Sequence, residues 1–353
     1  MPKLPSINKK IDLRYTLLRE CYRWVDKLNN WKIKRNKSTL IKSHKVNLAV
    51  KNQRPKVYVH DYGPEWLYLS SLRRSFSFDL VFEPDQADIV VFLSLVDERL
   101  NLQKKEIFFF YGEPSIYSKL HFAHLSPSFF NANRVTVISH HPSPEYFLSP
   151  TGPFKFIRAA LYPPFLHGAT AEQLDELDNS PRLKKIFTIT SALSGISGND
   201  NKKKNIEKLA QRDAQLDVYG RFSRAAYSIK NYRGPCAYKY RLLGQYKYNL
   251  ILENSPEEEW YITEKVYDAL LCGCMPIFHG SDKIYDLLPA EWFYHLPSFE
   301  DDDLDKLDKF MNSDAYLLVA NNRKQIADYI DRHFSFYAAI EKVASHLPLE
   351  FCI

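Results

Sequence analysis

The chain has 353 residues, 45% of them hydrophobic and 25% charged, with a formal net charge of +6. That length is too great for one ordinary core and suits two domains of about 150 residues, and the composition excludes a disordered chain. Five irregularly spaced cysteines give no disulfide framework and no zinc spacing, which fits a reducing compartment; no apolar run approaches the ~20 residues of a bilayer span, and the opening residues show no secretory signal pattern.

The charge is uneven. The first 56 residues carry sixteen Lys and Arg against three acids, so the rest of the chain is acidic. Within residues 1–55, Leu13, Leu17, Cys21, Trp24, Leu28 and Trp31 recur at three- and four-residue steps, which places them on one side of a helix. A basic amphipathic arm of this kind suits an anionic membrane surface. Nucleic acid, or the protein's own body, are competing partners for the same pattern.

Beyond the arm the chain alternates. Residues 56–61 (KVYVHD), 78–82 and 88–95 (DIVVFLSL) read as strands, with a short helix at 67–74. Residues 106–111 (EIFFFY) form an unbroken apolar run and 134–139 (RVTVIS) the next strand; residues 140–165, rich in Pro and aromatics, read as loop and linker. A short acidic helix at 172–178 precedes a second series: strand 185–190, helix 202–212, strand 216–219, helix 238–245. Residues 246–280 then read as strand, polar loop, amphipathic helix and buried strand. Residues 292–296 form a last strand, followed by an acidic run at 300–305 and two helical segments across 306–346. Strands buried on both faces and alternating with helices indicate parallel sheets, here an α/β chain of two Rossmann-like domains facing a cleft. The expected boundaries are 56–165 and 180–330, with a C-terminal helix at 331–353.

Function is expected first in residues 246–280, because open α/β sheets bind ligands where a strand's carboxyl end meets a helix start. Lys265, after Thr263 and Glu264 at such a start, can join the helix dipole around an anion, a plausible diphosphate seat without the Gly-rich loop of a nucleotide triphosphatase. Glu253 and Asn254 offer groups of the kind that read sugar hydroxyls. Glu113, beyond the apolar strand and next to Gly112, presents a carboxylate able to take a proton from an incoming hydroxyl, though a turn role before Pro114 competes. His121, His124, His140 and His141 lack telling metal spacing and are expected as surface or loop histidines. Asp301, Asp302 and Asp303 are expected as solvated acids at a helix start, and Cys272 and Cys274 as buried.

The string YKYNLILENS, followed by WYITEK and GCMPIFHG, resembles the signature of the α-1,3/4-fucosyltransferase family, glycosyltransferase family 10. The likeness extends upstream to Asp217-Val218-Tyr219-Gly220-Arg221 and Tyr232-Arg233-Gly234, and to Gly112-Glu113 at a strand end. It implies a GT-B fold, GDP-fucose as donor, inversion at the anomeric carbon, and no metal or other cofactor for chemistry. Glu113 would be the general base, Lys265 would hold the diphosphate, Asn254, Tyr261 and Glu264 would contact fucose and ribose, and Glu253 would shape the site. Lys202 stands nearest to the position of a family Arg on the phosphates, supplying charge without the bidentate fork. The loop 255–260 is one residue longer than the family pattern.

The expectation is therefore a fucosyltransferase-like enzyme transferring to a hydroxyl of a surface glycan such as lipopolysaccharide. It would work in the cytoplasm, peripheral at an inner membrane through the basic arm, with no nucleic-acid partner. The alternatives are a GT-B enzyme with another nucleotide sugar, or a nucleotide- or carbohydrate-binding protein without turnover.

Overall fold

The computed structural model describes residues 54–60, 77–92, 100, 102–112, 126–147, 153–160, 169, 171–182, 184–190, 197–212, 215–220, 231–234, 236 and 239–349. The basic arm up to residue 53, the helix expected at 67–74, and His121 and His124 lie outside them.

Two six-stranded parallel sheets organise the chain. The first comprises β1 (Lys56–Val59), β2 (Asp79–Leu80), β3 (Ile89–Phe92), β4 (Glu106–Tyr111), β5 (Arg134–Ser139) and β6 (Lys155–Arg158), in the order β2-β1-β3-β4-β5-β6. Strand β4 explains why its sequence is apolar throughout. Phe108 and Phe110 join a cluster with Val57 and Ile138 on one face, while Ile107, Phe109 and Tyr111 join Val90 and Val137 on the other. A parallel strand covered on both faces needs no polar alternation, and each buried aromatic contributes roughly 1.5–3 kcal/mol.

The second sheet comprises β7 (Lys184–Ile189), β8 (Leu216–Tyr219), β9 (Tyr232–Gly234), β10 (Tyr246–Leu252), β11 (Met275–His279) and β12 (Tyr294–His295), in the order β12-β11-β10-β7-β8-β9. Counted within the domain, this is the 3-2-1-4-5-6 order of a dinucleotide-binding sheet, and its direction of winding reverses between β7 and β10. Connecting helices include α1 (Ser197–Arg212), α2 (Lys239–Gln245) and α3 (Glu264–Leu271). The architecture is the two-sheet α/β arrangement expected for a GT-B fold.

Several readings change. The span taken as loop and linker contains β6, which pairs with β5 at the sheet edge; its residues are exposed or half-buried, so neither an apolar run nor a clean alternation marks it. The acids Asp301, Asp302 and Asp303 do stand at a helix start, as expected: they form the first turn of α4 (Asp301–Met311), where carboxylates complement the helix dipole. Three more helices follow in place of one further segment: α5 (Tyr316–Asn321), α6 (Arg323–His333) and α7 (Phe336–Ala344). Ile326 and Ile330 of α6 belong to the core of the second sheet. Ala339, Ile340 and Val343 of α7 instead pack with Val57, Ile89 and Phe110 of the first. The end of the chain thus returns to the domain where the sheet series began.

Candidate active site

The reversal between β7 and β10 opens a crevice at the carboxyl ends of those strands, and the polar residues after β10 stand there. Glu253 follows β10 directly and is 1% exposed. Its Oε1 accepts from the backbone N–H of Thr263 at 3.0 Å and from Thr263 Oγ1 at 2.7 Å, and its Oε2 accepts from Lys265 Nζ at 2.8 Å. Burying a carboxylate costs several kcal/mol, and three charge-assisted hydrogen bonds offset it. Glu253 is therefore a brace beneath Lys265, with both oxygens engaged inside the protein.

Thr263 is the N-cap of α3, yet its side chain makes no cap hydrogen bond. The hydroxyl donates to Glu253 and accepts from Lys265 Nζ at 2.7 Å. The ammonium of Lys265 is thus held at the positive end of the α3 dipole. Gly280, after β11, makes room for the brace: a Cβ there would meet the Phe278 ring at 2.5 Å and Glu253 Cγ at 3.1 Å. That accounts for a glycine in the signature string at this position.

Lys202 reaches the same place from α1. It is 6% exposed, and its Nζ donates to Asn254 Oδ1. Burial, reinforced by repulsion from Lys265 and opposed by Glu253 and Glu264, lowers its pKa to about 7. Glu264, the first residue of α3, is partly buried; burial pushes its carboxyl up, but Lys265 and Lys239 outweigh that and hold it below the ordinary carboxylate range. Behind it, Lys239 donates to the fully buried Asp268 at 2.6 Å. Tyr261 is 2% exposed, its ring 5.2 Å from that of His140 in the first domain. Trp260 adopts a left-handed backbone with φ of 64°, rare for a bulky residue, and Lys283 Nζ lies 5.5 Å from its ring centroid.

Of the residues expected to act, Lys202, Glu253, Asn254, Tyr261, Glu264 and Lys265 all fall on the β10–α3 connection or the α1 side chain that meets it. Glu113 lies outside the described residues; the strand that leads to it, β4, ends at Tyr111 as expected. His140 and His141 stand in the loop that follows β5, but the surface alternative is corrected: they are 5% and 1% exposed, and both approach Glu258 across the domains, at 3.4 Å and 4.0 Å. Adjacent residues at a strand end can bend both rings to one side, and their centroids are 4.2 Å apart. Sequence reading also missed Thr263 as a brace, although a Thr before a helix is an N-cap signal. The group His140, His141 and Glu258 is the one set of potential metal ligands found among the described residues.

The chemistry this crevice can perform is anion binding by two lysines, Lys265 braced by Glu253 and Lys202 with its pKa lowered by burial, beside an amide and a half-sheltered carboxylate. Part of the chain is similar to known proteins. The family described as glycosyltransferase family 10 (fucosyltransferase) C-term matches residues 182–331. A fucosyltransferase-like protein of Arabidopsis thaliana is 30% identical over 149 residues, 42% of this chain and 27% of that protein. GDP-fucose protein O-fucosyltransferase 3 of Gallus gallus is 36% identical over 80 residues, 22% of this chain and 17% of that one. The chain thus matches about a quarter or less of the length of these curated relatives. A crystal structure of an α1,3-fucosyltransferase superposes with a TM-score of 0.46 at 16% identity, covering 77% of this chain and 82% of that one. The likeness to the fucosyltransferase C-terminal domain of glycosyltransferase family 10 thus spans residues 182–331, which carry the whole second sheet.

Proposed function

We propose that this protein is an inverting glycosyltransferase that moves fucose from GDP-fucose to a hydroxyl of a glycan, without a metal ion at the diphosphate. The observation that carries the reading is the convergence of Lys202, Asn254 and Lys265 at the crevice, with Lys265 braced by a buried Glu253. In this reading Glu113 takes the proton of the acceptor hydroxyl as its oxygen attacks the anomeric carbon. The bond from that carbon to the diphosphate breaks on the opposite face. The charge that develops on the leaving GDP falls on Lys265, on Lys202 in its protonated form, and on the dipole of α3. Glu264, Asn254 and Tyr261 would orient the sugar and ribose. A cytoplasmic setting, with the basic arm holding the enzyme against an anionic inner-membrane surface and a lipopolysaccharide-type glycan as acceptor, is part of the same proposal.

The test is calorimetric binding of a panel of nucleotide sugars and their nucleotides to the full chain, followed by turnover with the tightest donor and no added Mg²⁺ or Mn²⁺. GDP and GDP-fucose should bind most tightly, and fucose should be released or transferred under those conditions. Preference for a uridine nucleotide would replace the donor. A strict need for added Mn²⁺ would overturn the metal-free leaving-group step.

A further inference from the structure

We infer that His140, His141 and Glu258 form a binding site for one divalent ion of the zinc class, placed so that the ion joins the two domains. The donor atoms are His140 Nε2, His141 Nδ1 and Glu258 Oε2, all within 4.8 Å of one another. Ligands bound tetrahedrally at ~2.0–2.1 Å stand about 3.4 Å apart. The His140–Glu258 separation of 3.4 Å matches such a pair, and the His141–Glu258 separation is 4.0 Å, so the His141 ring closes in as the ion binds. Both imidazoles are buried and stand against aromatic rings, His140 against Tyr261 and His141 against Tyr111, with centroids 5.2 Å and 5.9 Å apart. Their backbone is held too: Ser139 Oγ accepts from the His141 N–H, and Arg158 Nε donates to the His140 carbonyl.

The donor set selects the ion class. Two imidazole nitrogens and one carboxylate suit Zn²⁺ and its neighbours, and leave an open position for water, whereas Mg²⁺ and Ca²⁺ prefer oxygen alone. The location selects the role. His140 and His141 follow β5 of the first sheet, while Glu258 sits in the loop between β10 and α3 of the second. An ion here is coordinated from both sides of the cleft and shares no ligand with Lys202, Asn254 or Lys265. It therefore ties the loop after β5 to the β10–α3 loop beside the donor crevice and leaves the proposed leaving-group chemistry untouched.

The experiment uses the full chain, free of any histidine tag and stripped with chelator, titrated with Co²⁺ and then Zn²⁺. The expected result is one equivalent of Co²⁺ with the intense visible absorption of a four- or five-coordinate nitrogen and oxygen site, displaced by Zn²⁺. Zn²⁺ should also raise the melting temperature of the chain by a few degrees, since it binds only the folded form. His140→Ala, His141→Ala and Glu258→Gln should each weaken Co²⁺ binding at least tenfold. Should a histidine variant fail to fold in chelator, Glu258→Gln decides, because it keeps the size of a side chain at the cleft surface. Absence of the band in the wild type, a thiolate-to-cobalt band reporting cysteine binding, or unchanged affinity in folded Glu258→Gln overturns the site. GDP binding measured on the same samples reports separately on the donor crevice.

Discussion

At the carboxyl ends of β7 and β10 the second sheet gathers Lys202, Asn254 and Lys265 over a buried carboxylate, whereas the described rim of the first sheet gathers His60, Tyr111, His140 and His141. Both sheets are parallel and six-stranded. The difference lies in what the strand ends carry. One rim is cationic and braced by a carboxylate; the other is aromatic and imidazole-rich, with Tyr111, His140 and His141 buried. The backbone plan is shared, and the side chains at the strand ends set the two rims apart.

The largest expected effect tests whether the division is catalytic. Glu113→Gln should lower transfer by about 10²–10⁴-fold, the usual contribution of a general base, while GDP affinity stays within about twofold. Robust transfer by that variant would remove Glu113 from the base role and leave the first rim without assigned chemistry. Next comes Lys265→Ala, which should weaken GDP binding about 10–100-fold, corresponding to loss of charge-assisted hydrogen bonds of roughly 1.5–3 kcal/mol. The same change strands Glu253 as a buried, half-partnered carboxylate and should lower stability. Adding Glu253→Gln should restore the melting temperature and not the affinity. Equal GDP affinity in wild type and Lys265→Ala would refute the cationic rim as a phosphate seat.

The contrast also shows in how much of each rim could be read from sequence. The β10–α3 connection was legible because its parts are neighbours: an apolar strand, a loop and a helix start place Glu253, Asn254, Glu264 and Lys265 together within thirteen residues. Strands β4 and β5 were legible because burial on both faces leaves an apolar run. Strand β6 was not, since an edge strand of half-buried residues carries no such run. The roles of Glu253 and the histidines were hidden for a different reason. Glu253 looks like a ligand-reading group until Thr263 and Lys265 occupy both its oxygens, and His140 meets Glu258 across 118 residues of chain. Long-range pairing leaves no local signal.

A third prediction sharpens the cationic rim through pH. Lys202 in the folded, ligand-free protein titrates near 7 because of burial and of Lys265, so it is charged below that value and mostly neutral above it. A bound diphosphate favours the ammonium and raises that pKa, so binding takes up a proton above pH 7. GDP affinity should therefore be flat below pH 7 and fall by up to about tenfold per pH unit from 7 toward 9. Lys202→Met should bind GDP more weakly at pH 6.5 and lose this slope. A slope retained in the variant would assign the proton elsewhere.

The smallest effect separates contact from function at the seam between the rims. Arg158, at the end of β6, donates to Glu259 at 3.1 Å in the same loop that carries Glu258. Glu259 is 58% exposed, so solvent screens the pair and ordering two long side chains offsets most of the attraction. Arg158→Ala should change stability by less than about 1 kcal/mol and GDP affinity hardly at all, even though it crosses the domains. If chemical denaturation instead showed a loss of several kcal/mol, the hydrogen bond from Arg158 Nε to the His140 carbonyl would carry the excess, and the imidazole rim would depend on Arg158 for its position. A double-mutant cycle of Arg158→Ala with Glu259→Gln distinguishes these cases. Coupling near zero together with a large single effect of Arg158→Ala assigns that residue to the histidine backbone, and coupling near the whole effect assigns it to the ion pair.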